Sequence, residues 1–567
     1  MHRFPAYILL CTCVLAACTS TPPAQPGPEE QAQAVNEVFE TPEVYSPRTL
    51  DSLDVSAFLD RHPEYQADSL GIRGFYERRG MQFAWFIGDT LSQAALNFLN
   101  LVDGADSTLG TLGTEHSALH DLVRRIADET DTVPLTDRFF VQLELSLTAQ
   151  FFRFADRKYG GVVRKDLREL DWFIPRRKKD YRQLIDSLAA GRMDLSPIEP
   201  VHPQYQLLKR ELQRLYGETW IDTLPLVDLG DRRKLEPGDR DSTVLALRRR
   251  LIAFGDLEAT ADSGLVMDST LVAGLQRFQE RHGLLPDGVA GKGVVKQINT
   301  SVSDRIRTIL VNMERLRWVP EVQPPNVILV NIPEFRMHIY EADTLAWSMN
   351  VVVGATATRT VVFSDELTTI VFNPYWNIPR SIIRNEILPA VKRNSSYLAQ
   401  KNMEVVRGGQ VVPASTIDWS QYTGSVPFEI RQKPGTSNSL GLVKFLFPNE
   451  FSIYFHDTPS KSLFGRESRA FSHGCIRLGQ PMDLAEYLLK PDTNWTADSI
   501  RTVMARKKEK YVDLPEPRPV IIGYFTAWVD TQGRLNFRDD VYEHDARLAQ
   551  ELFALPEEEE EAVASVK

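Results

Sequence analysis

Residues 470–478 read "AFSHGCIRL". Ser472, His473, Gly474 and Cys475 stand side by side, and Arg477 follows one apolar residue later. A cysteine nucleophile needs a base for its proton and donors aimed at the oxyanion that forms during attack. Gly474 removes a side chain beside the sulfur, which lets a substrate carbonyl approach the N–H groups of Gly474 and Cys475. Arg477 can hold a substrate carboxylate through its forked donors. If the segment is extended, His473 and Cys475 share a face, which suits His473 to orient or tune the site. Immediate neighbours rarely have the geometry of a general base, so the base is sought elsewhere. The stretch "FSIYFHD" (451–457) supplies it. Read as a strand, it turns Phe451, Ile453 and Phe455 to the packed face and Ser452, Tyr454 and His456 to the other. His456 then sits at a strand end, nineteen residues before Cys475, and is the expected base. His456, His473 and Cys475 could also serve as zinc ligands. There is no HExxH, no CxxC and no clear fourth ligand, so neither a metal nor a cofactor is expected.

The remaining cysteines isolate this thiol. Cys11, Cys13 and Cys18 all lie in "MHRFPAYILLCTCVLAAC". That stretch has a basic start and an apolar run from Tyr7 to Ala17, too short to span a bilayer, and reads as an export signal. Its end, Leu15-Ala16-Ala17-Cys18, resembles a bacterial lipobox, which implies a lipid on Cys18. Thr19 resembles sorting to the outer membrane. Residues 1–18 are thus expected to be a lipoprotein signal and 19–45 a Pro/Gln-rich tether. Cys475 is then the one mature thiol not claimed by lipid, in an oxidising compartment where an odd cysteine is a candidate reactive group.

The chain has 567 residues and a formal net charge of -11, which gives no reason to expect nucleic acid as a partner. Its 43% hydrophobic and 25% charged residues suit a soluble multidomain protein. Residues 46–230 read as a helical scaffold, with Leu143, Leu147, Phe151 and Phe154 at helical spacing. Residues 231–302 form a second, small helical unit whose helices end at Gly255 and Gly283. From about 322 to 550 the pattern changes to strands bounded by Pro and Gly, interrupted at about 380–440 by a long mixed segment that reads as an insertion. "PVIIGYFTAWVDTQGRLNFRDDVY" (519–542) is expected to give two closing strands of that same β domain around a turn at Asp530–Gly533. Residues 551–567 read as an acidic tail.

The residues His456, Ser472-His473-Gly474-Cys475, Ile476 and Arg477 resemble the motif of the L,D-transpeptidase (YkuD-type) catalytic domain. "NPYWNIPRSII" and "FHDTPSKSLFGRESRAFSHGCIRL" carry a closer resemblance to its large subgroup, which has a helical scaffold, a peptidoglycan-binding domain and a capping insertion. "LQRFQERHGLLPDGVAGKGVV" (275–295) resembles that binding domain at Phe278-Gln279, Gly283-Leu284 and Asp287-Gly288. The implied fold class is multidomain α+β. The implied reaction is attack by Cys475 on a stem peptide, with His456 as acid and base, Ser472, His473 and Gly474 in support, and Arg477 on substrate. Trp376 and Asn377 line the cleft or, for Trp376, pack in a core. A second stem would resolve the thioester as a 3-3 crosslink in the periplasm, releasing the terminal D-amino acid. Three readings stay open: transfer to an amine, hydrolysis by the same residues on stems or wall-bound protein, and a non-enzymatic wall anchor. A carboxylate role for Asp457 in the dyad is not implied, because in this family a backbone carbonyl often orients the histidine. Nothing in the sequence sets the oligomeric state.

Overall fold

The computed structural model describes residues 48–109, 119, 122–124, 126, 136–163, 165–192, 194–259 and 264–553. The expected signal, Cys18 and the tether lie outside the described residues, as does the tail from 554. Among the described residues, no helix is long and apolar enough to cross a membrane. The chain divides into two compact units, one drawing on residues up to 107, 111–152 and 182–195, the other on 108–110, 153–181 and 196 onward.

The first unit is helical because its apolar residues recur at helical spacing. Ser52–Arg61 starts on a capping box, in which Asp51 accepts from the N–H groups of the first turn and Asp54 accepts from Asp51 N–H. In Asp137–Gly160, Leu143, Leu147 and Phe151 are all buried. Polar side chains share that core, Glu144 foremost among them. Glu144 is fully buried and accepts from Ala84 N–H (2.7 Å), Trp85 N–H (3.1 Å) and the Tyr76 hydroxyl (3.0 Å). Burial pushes its carboxyl up to about 7 against the pull of those donors. The bonds fix the chain entering the Phe86–Ile87 and Thr90–Leu91 hairpin.

In the second unit, residues 227–298 close around Leu247, Leu251, Leu271, Leu275 and Phe278. The resembling motif residues have structural work there. Gln279 donates to Asp287 Oδ1 (2.8 Å) and Val289 O (3.1 Å) and accepts from Gly288 N–H (2.9 Å), so it clamps the Asp287-Gly288 turn.

The catalytic-type region is a sheet whose strands, in chain order, are β1 Ile328–Asn331, β2 Arg336–Glu341, β3 Thr344–Gly354, β4 Phe363–Phe372, β5 Trp376–Asn377, β6 Met403–Arg407, β7 Gln410–Val412, β8 Glu429–Gln432, β9 Val443–Leu446, β10 Phe455–His456, β11 Ala470–Ser472, β12 Ile476–Leu478 and β13 Lys510–Gly523. Nine of these run side by side as β11-β3-β12-β10-β9-β4-β13-β1-β2, and β2 also pairs with β3, so the sheet closes on itself. The other four, β7-β6-β8-β5, make a separate sheet with its own core of Ile378, Ile382, Ile387, Leu388, Val405 and Ile430. The insertion therefore begins at Trp376, a few residues before the expected 380, because β5 already pairs with β8.

Two sequence expectations change. The segment 519–523 is the end of the long strand β13, while Ala527–Val529 and Leu535–Phe537 pair only with each other as a two-stranded ribbon. "FSIYFHD" is a strand only at Phe455–His456. Asn449 accepts from the N–H groups of Phe451 and Ile453 and donates to Phe447 O and Ile453 O. That clamp bends the chain, and Ser452 takes φ +57.

Substituting Glu144→Ala leaves two buried N–H groups unpaired and is expected to cost on the order of 3 kcal/mol, read as a lower midpoint in thermal or urea unfolding.

Candidate active site

The turn that carries Cys475 joins β11 to β12. Gly474 adopts φ +113, a region open to glycine and strained for other residues. The segment is therefore not extended, and His473 and Cys475 do not share a face as in a strand. Ser472 Oγ donates to Cys475 O (2.5 Å) and accepts from Gly474 N–H (3.2 Å), closing the turn on itself. Two threonines of the preceding loop hold it from below: Thr358 Oγ1 donates to Ser472 O (2.9 Å) and Thr360 Oγ1 to Gly474 O (2.7 Å). The Gly474 N–H is thus already engaged, which narrows the expected oxyanion donors. Cys475 N–H has no hydrogen-bond partner among the described residues and stays available for an oxyanion.

Strand register brings the distant residues together. His456 on β10 lies opposite Arg477 on β12 and opposite Lys444 on β9. Residues directly opposite on neighbouring strands point to the same face, so Lys444, His456 and Arg477 form one row across the sheet. Phe455 and Ile476 point into the core and are fully buried. Arg477 makes no ion pair among the described residues, and its buried Nε has no partner.

His456 is 5% exposed. Its Nδ1 lies 2.5 Å from the main-chain oxygen of Asp457. A carbonyl only accepts, so Nδ1 carries the proton and Nε2 keeps its lone pair. The Asp457 carboxylate faces elsewhere. It accepts from Leu442 N–H (2.9 Å), Thr458 N–H (2.7 Å) and Lys461 (2.6 Å). Gly441, at φ +62, leaves it room: a Cβ there would sit 2.2 Å from Asp457 Oδ2.

Cys475 Sγ donates to Ser452 O (3.6 Å). Burial pushes its thiol up, while hydrogen bonds from the Tyr454 N–H and hydroxyl and the charge of Arg477 pull it down. Burial pushes the His456 imidazole down to about 4; Arg477 and Lys444 add to this and the Asp457 carbonyl opposes it. Both shifts favour the neutral forms, a thiol at Cys475 and an uncharged imidazole at His456. The Tyr454 hydroxyl and Lys444 are the site residues that sequence reasoning missed. Alternation had put Tyr454 on the His456 face, but only the register of three strands reveals both.

The remaining expected residues are more dispersed. His473 is half exposed, and its Nε2 lies 2.8 Å from Glu386 Oε1 of the insertion. Trp376 packs partly buried against the insertion core, and Asn377 is exposed. Neither makes a hydrogen bond or ring contact with Cys475 or His456. Among the described residues no group of His, Cys, Asp and Glu is arranged to hold a metal ion.

The model of the L,D-transpeptidase catalytic domain family matches residues 325–522. This chain carries an L,D-transpeptidase catalytic domain. A scaffold domain model matches 71–212, and a model described as "Putative peptidoglycan binding domain" matches 240–298. A Haemophilus influenzae protein described as "Putative L,D-transpeptidase" is 35% identical over 253 residues, which is 44% of this chain and 51% of the relative, so the match spans about half of that relative's length. Among solved structures, an L,D-transpeptidase from Xylanimonas cellulosilytica is 13% identical over 52% of this chain and 100% of its own, at a TM-score of 0.18. One from Stackebrandtia nassauensis is 13% identical over 53% and 97%, at 0.21. At such scores the likeness decides nothing about the site. The multidomain α+β class agrees with the three domain matches and with the helical and β-rich regions described above. The peptidoglycan-associated domains fit a cell-wall or periplasmic protein.

The depressed imidazole makes a pH prediction. His456, and likewise His202 and His544, both brought to about 4 chiefly by burial, take up protons more readily once unfolded, near 6.5. Their stabilisation is present above about pH 6.5 and is lost as pH falls through about 4. Thermal midpoints measured across that window should fall, and should fall less steeply for His456→Gln than for the parent.

Proposed function

We propose that the protein is a murein L,D-transpeptidase that forms 3-3 crosslinks between peptidoglycan stems. The observation that carries this reading is the row Lys444–His456–Arg477 in the sheet whose strand β12 follows Cys475, the one free thiol among the described residues. Cys475 is the nucleophile and His456 the acid and base. As Sγ bonds to the donor carbonyl carbon, its proton passes to His456 Nε2, and the negative charge that develops on oxygen meets the Cys475 N–H. When the carbon–nitrogen bond breaks, His456 returns the proton to the leaving D-amino acid, and a thioester remains. Lys444 and Arg477 offer the donor stem's terminal carboxylate two cations with no competing acid between them. The Tyr454 hydroxyl holds the sulfur in line. An amine of a second stem then displaces the sulfur. Ser472 supports the turn; Trp376 and Asn377 stand at the base of the insertion, whose closure over the site would keep water from the thioester. Stem peptides are thus both donor and acceptor. A lipid at Cys18 would hold the chain at a membrane facing the periplasm, with Thr19 in favour of the outer one.

Three outcomes follow. Incubated with a carbapenem, whose strained carbonyl imitates the acyl donor, the intact chain should gain the mass of the drug by mass spectrometry, and Cys475→Ala should not; an adduct on Cys475→Ala would remove the nucleophile assignment. Given two tetrapeptide stems, the chain should yield crosslinked dimer by chromatography, whereas tripeptide alone would make it a carboxypeptidase. Lys444→Met should raise KM for a tetrapeptide donor by about tenfold, in line with loss of one charged contact, with a smaller change in kcat.

A further inference from the structure

We propose that Glu386 and His473 form a second acid–base pair that receives the attacking amine, so that the two halves of the reaction use different histidines. The inference rests on the transpeptidase reading above.

The imidazoles of His456 and His473 are held in opposite tautomers. His456 gives its Nδ1 proton to a carbonyl and keeps the lone pair on Nε2. His473 is bonded through Nε2 to the Glu386 carboxylate, 2.8 Å away. A carboxylate only accepts, so Nε2 carries the proton and Nδ1 keeps the lone pair. Their surroundings differ in charge as well. His456 is buried between Lys444 and Arg477, a place that attracts a carboxylate and repels an ammonium group. The side chains of His473 and Glu386 are each 52% exposed, and His473 is the sole ion-pair partner of Glu386 among the described residues. An incoming ammonium is drawn to that open carboxylate and away from the cationic row.

The insertion is shaped to deliver Glu386. Ile383–Ile387 is a π-helical turn, in which Leu388 N–H reaches back to Ile383 O. Pro389 explains the widening: it has no N–H for Asn385 O and its ring crowds that carbonyl. Such single wide turns are frequent at functional sites.

The chemistry balances without a further reactant. The acceptor arrives as an ammonium ion. One proton passes to His473 Nδ1, and Glu386 stabilises the imidazolium. The neutral amine attacks the thioester carbon, the carbon–sulfur bond breaks, and Cys475 leaves as thiolate. The new amide nitrogen gives its excess proton to the sulfur, and His473 releases its own to water. The sum is thioester plus ammonium going to amide, thiol and one proton.

The experiment follows donor cleavage and the fate of the acyl-enzyme separately, using the full chain and tetrapeptide stems. Glu386→Gln should lower the dimer-to-tripeptide ratio by at least about tenfold, less than the roughly hundredfold low end of general-base contributions because Glu386 acts through His473, while release of the terminal D-amino acid falls far less. Glu386→Asp should recover part of the ratio. Hydroxylamine, an amine already neutral near pH 7, should intercept the acyl-enzyme of Glu386→Gln as fast as that of the parent. An equal loss of donor cleavage and transfer would make Glu386 a structural residue and overturn the proposal. An unchanged ratio in Glu386→Gln, with dimer formed by the parent, would overturn it alone. Absence of dimer from the parent would overturn the transpeptidase reading and this one with it.

Discussion

The bond from the Ser472 hydroxyl to the Cys475 carbonyl is the constraint on which the site depends. It closes the turn of four residues 472–475, whose third member, Gly474, takes the positive φ that only glycine adopts freely. With the turn closed, the sulfur, the Cys475 N–H and the following strand β12 have fixed relative positions. The two threonines below the turn transmit that rigidity to the loop after β3. A nucleophile held this way does not need a resting thiolate. Burial keeps both sulfur and imidazole neutral, so reactivity waits for a substrate that supplies the charge balance.

Electrostatic asymmetry gives the site a direction. One side, built from the strands of the closed sheet, carries Lys444 and Arg477 in one row with His456. The other, built from the insertion, carries Glu386. On the proposed reading, a stem ending in a carboxylate and a stem offering an ammonium group would be sorted to opposite sides by charge, before any shape is read. The insertion, with its own sheet and core, can present its carboxylate without disturbing the barrel-like sheet that holds the nucleophile.

Some of this was legible in the sequence because residue type and spacing carry chemistry directly. Ser472, His473, Gly474 and Cys475 are adjacent, and His456 lies one connection away. Helical spacing in 137–160 and the β-rich region after 322 fixed the order of the parts. What stayed hidden depends on register. Lys444 looks like any lysine in an alternating strand until β9 is set against β10. Tyr454 and His456 shared a face in the reading, yet the bend imposed by Asn449 could not be foreseen from a pattern that alternates so well. The Phe-Gln and Asp-Gly positions of the second unit carried a resemblance in the sequence, and only the fold shows that Gln279 clamps the Asp287-Gly288 turn. Glu386 was invisible because the insertion shows no motif, only a proline three residues later.

The group that orients His456 belongs to the main chain. Every one of the twenty residue types at position 457 would supply the same carbonyl. The catalytic tautomer is therefore shielded from point mutation in a way that a side-chain partner never is. Genetic variation at 457 can loosen the clamp on Leu442 and Thr458 but cannot delete the acceptor. The histidine's orientation is thus inherited as a path of the backbone rather than as a codon.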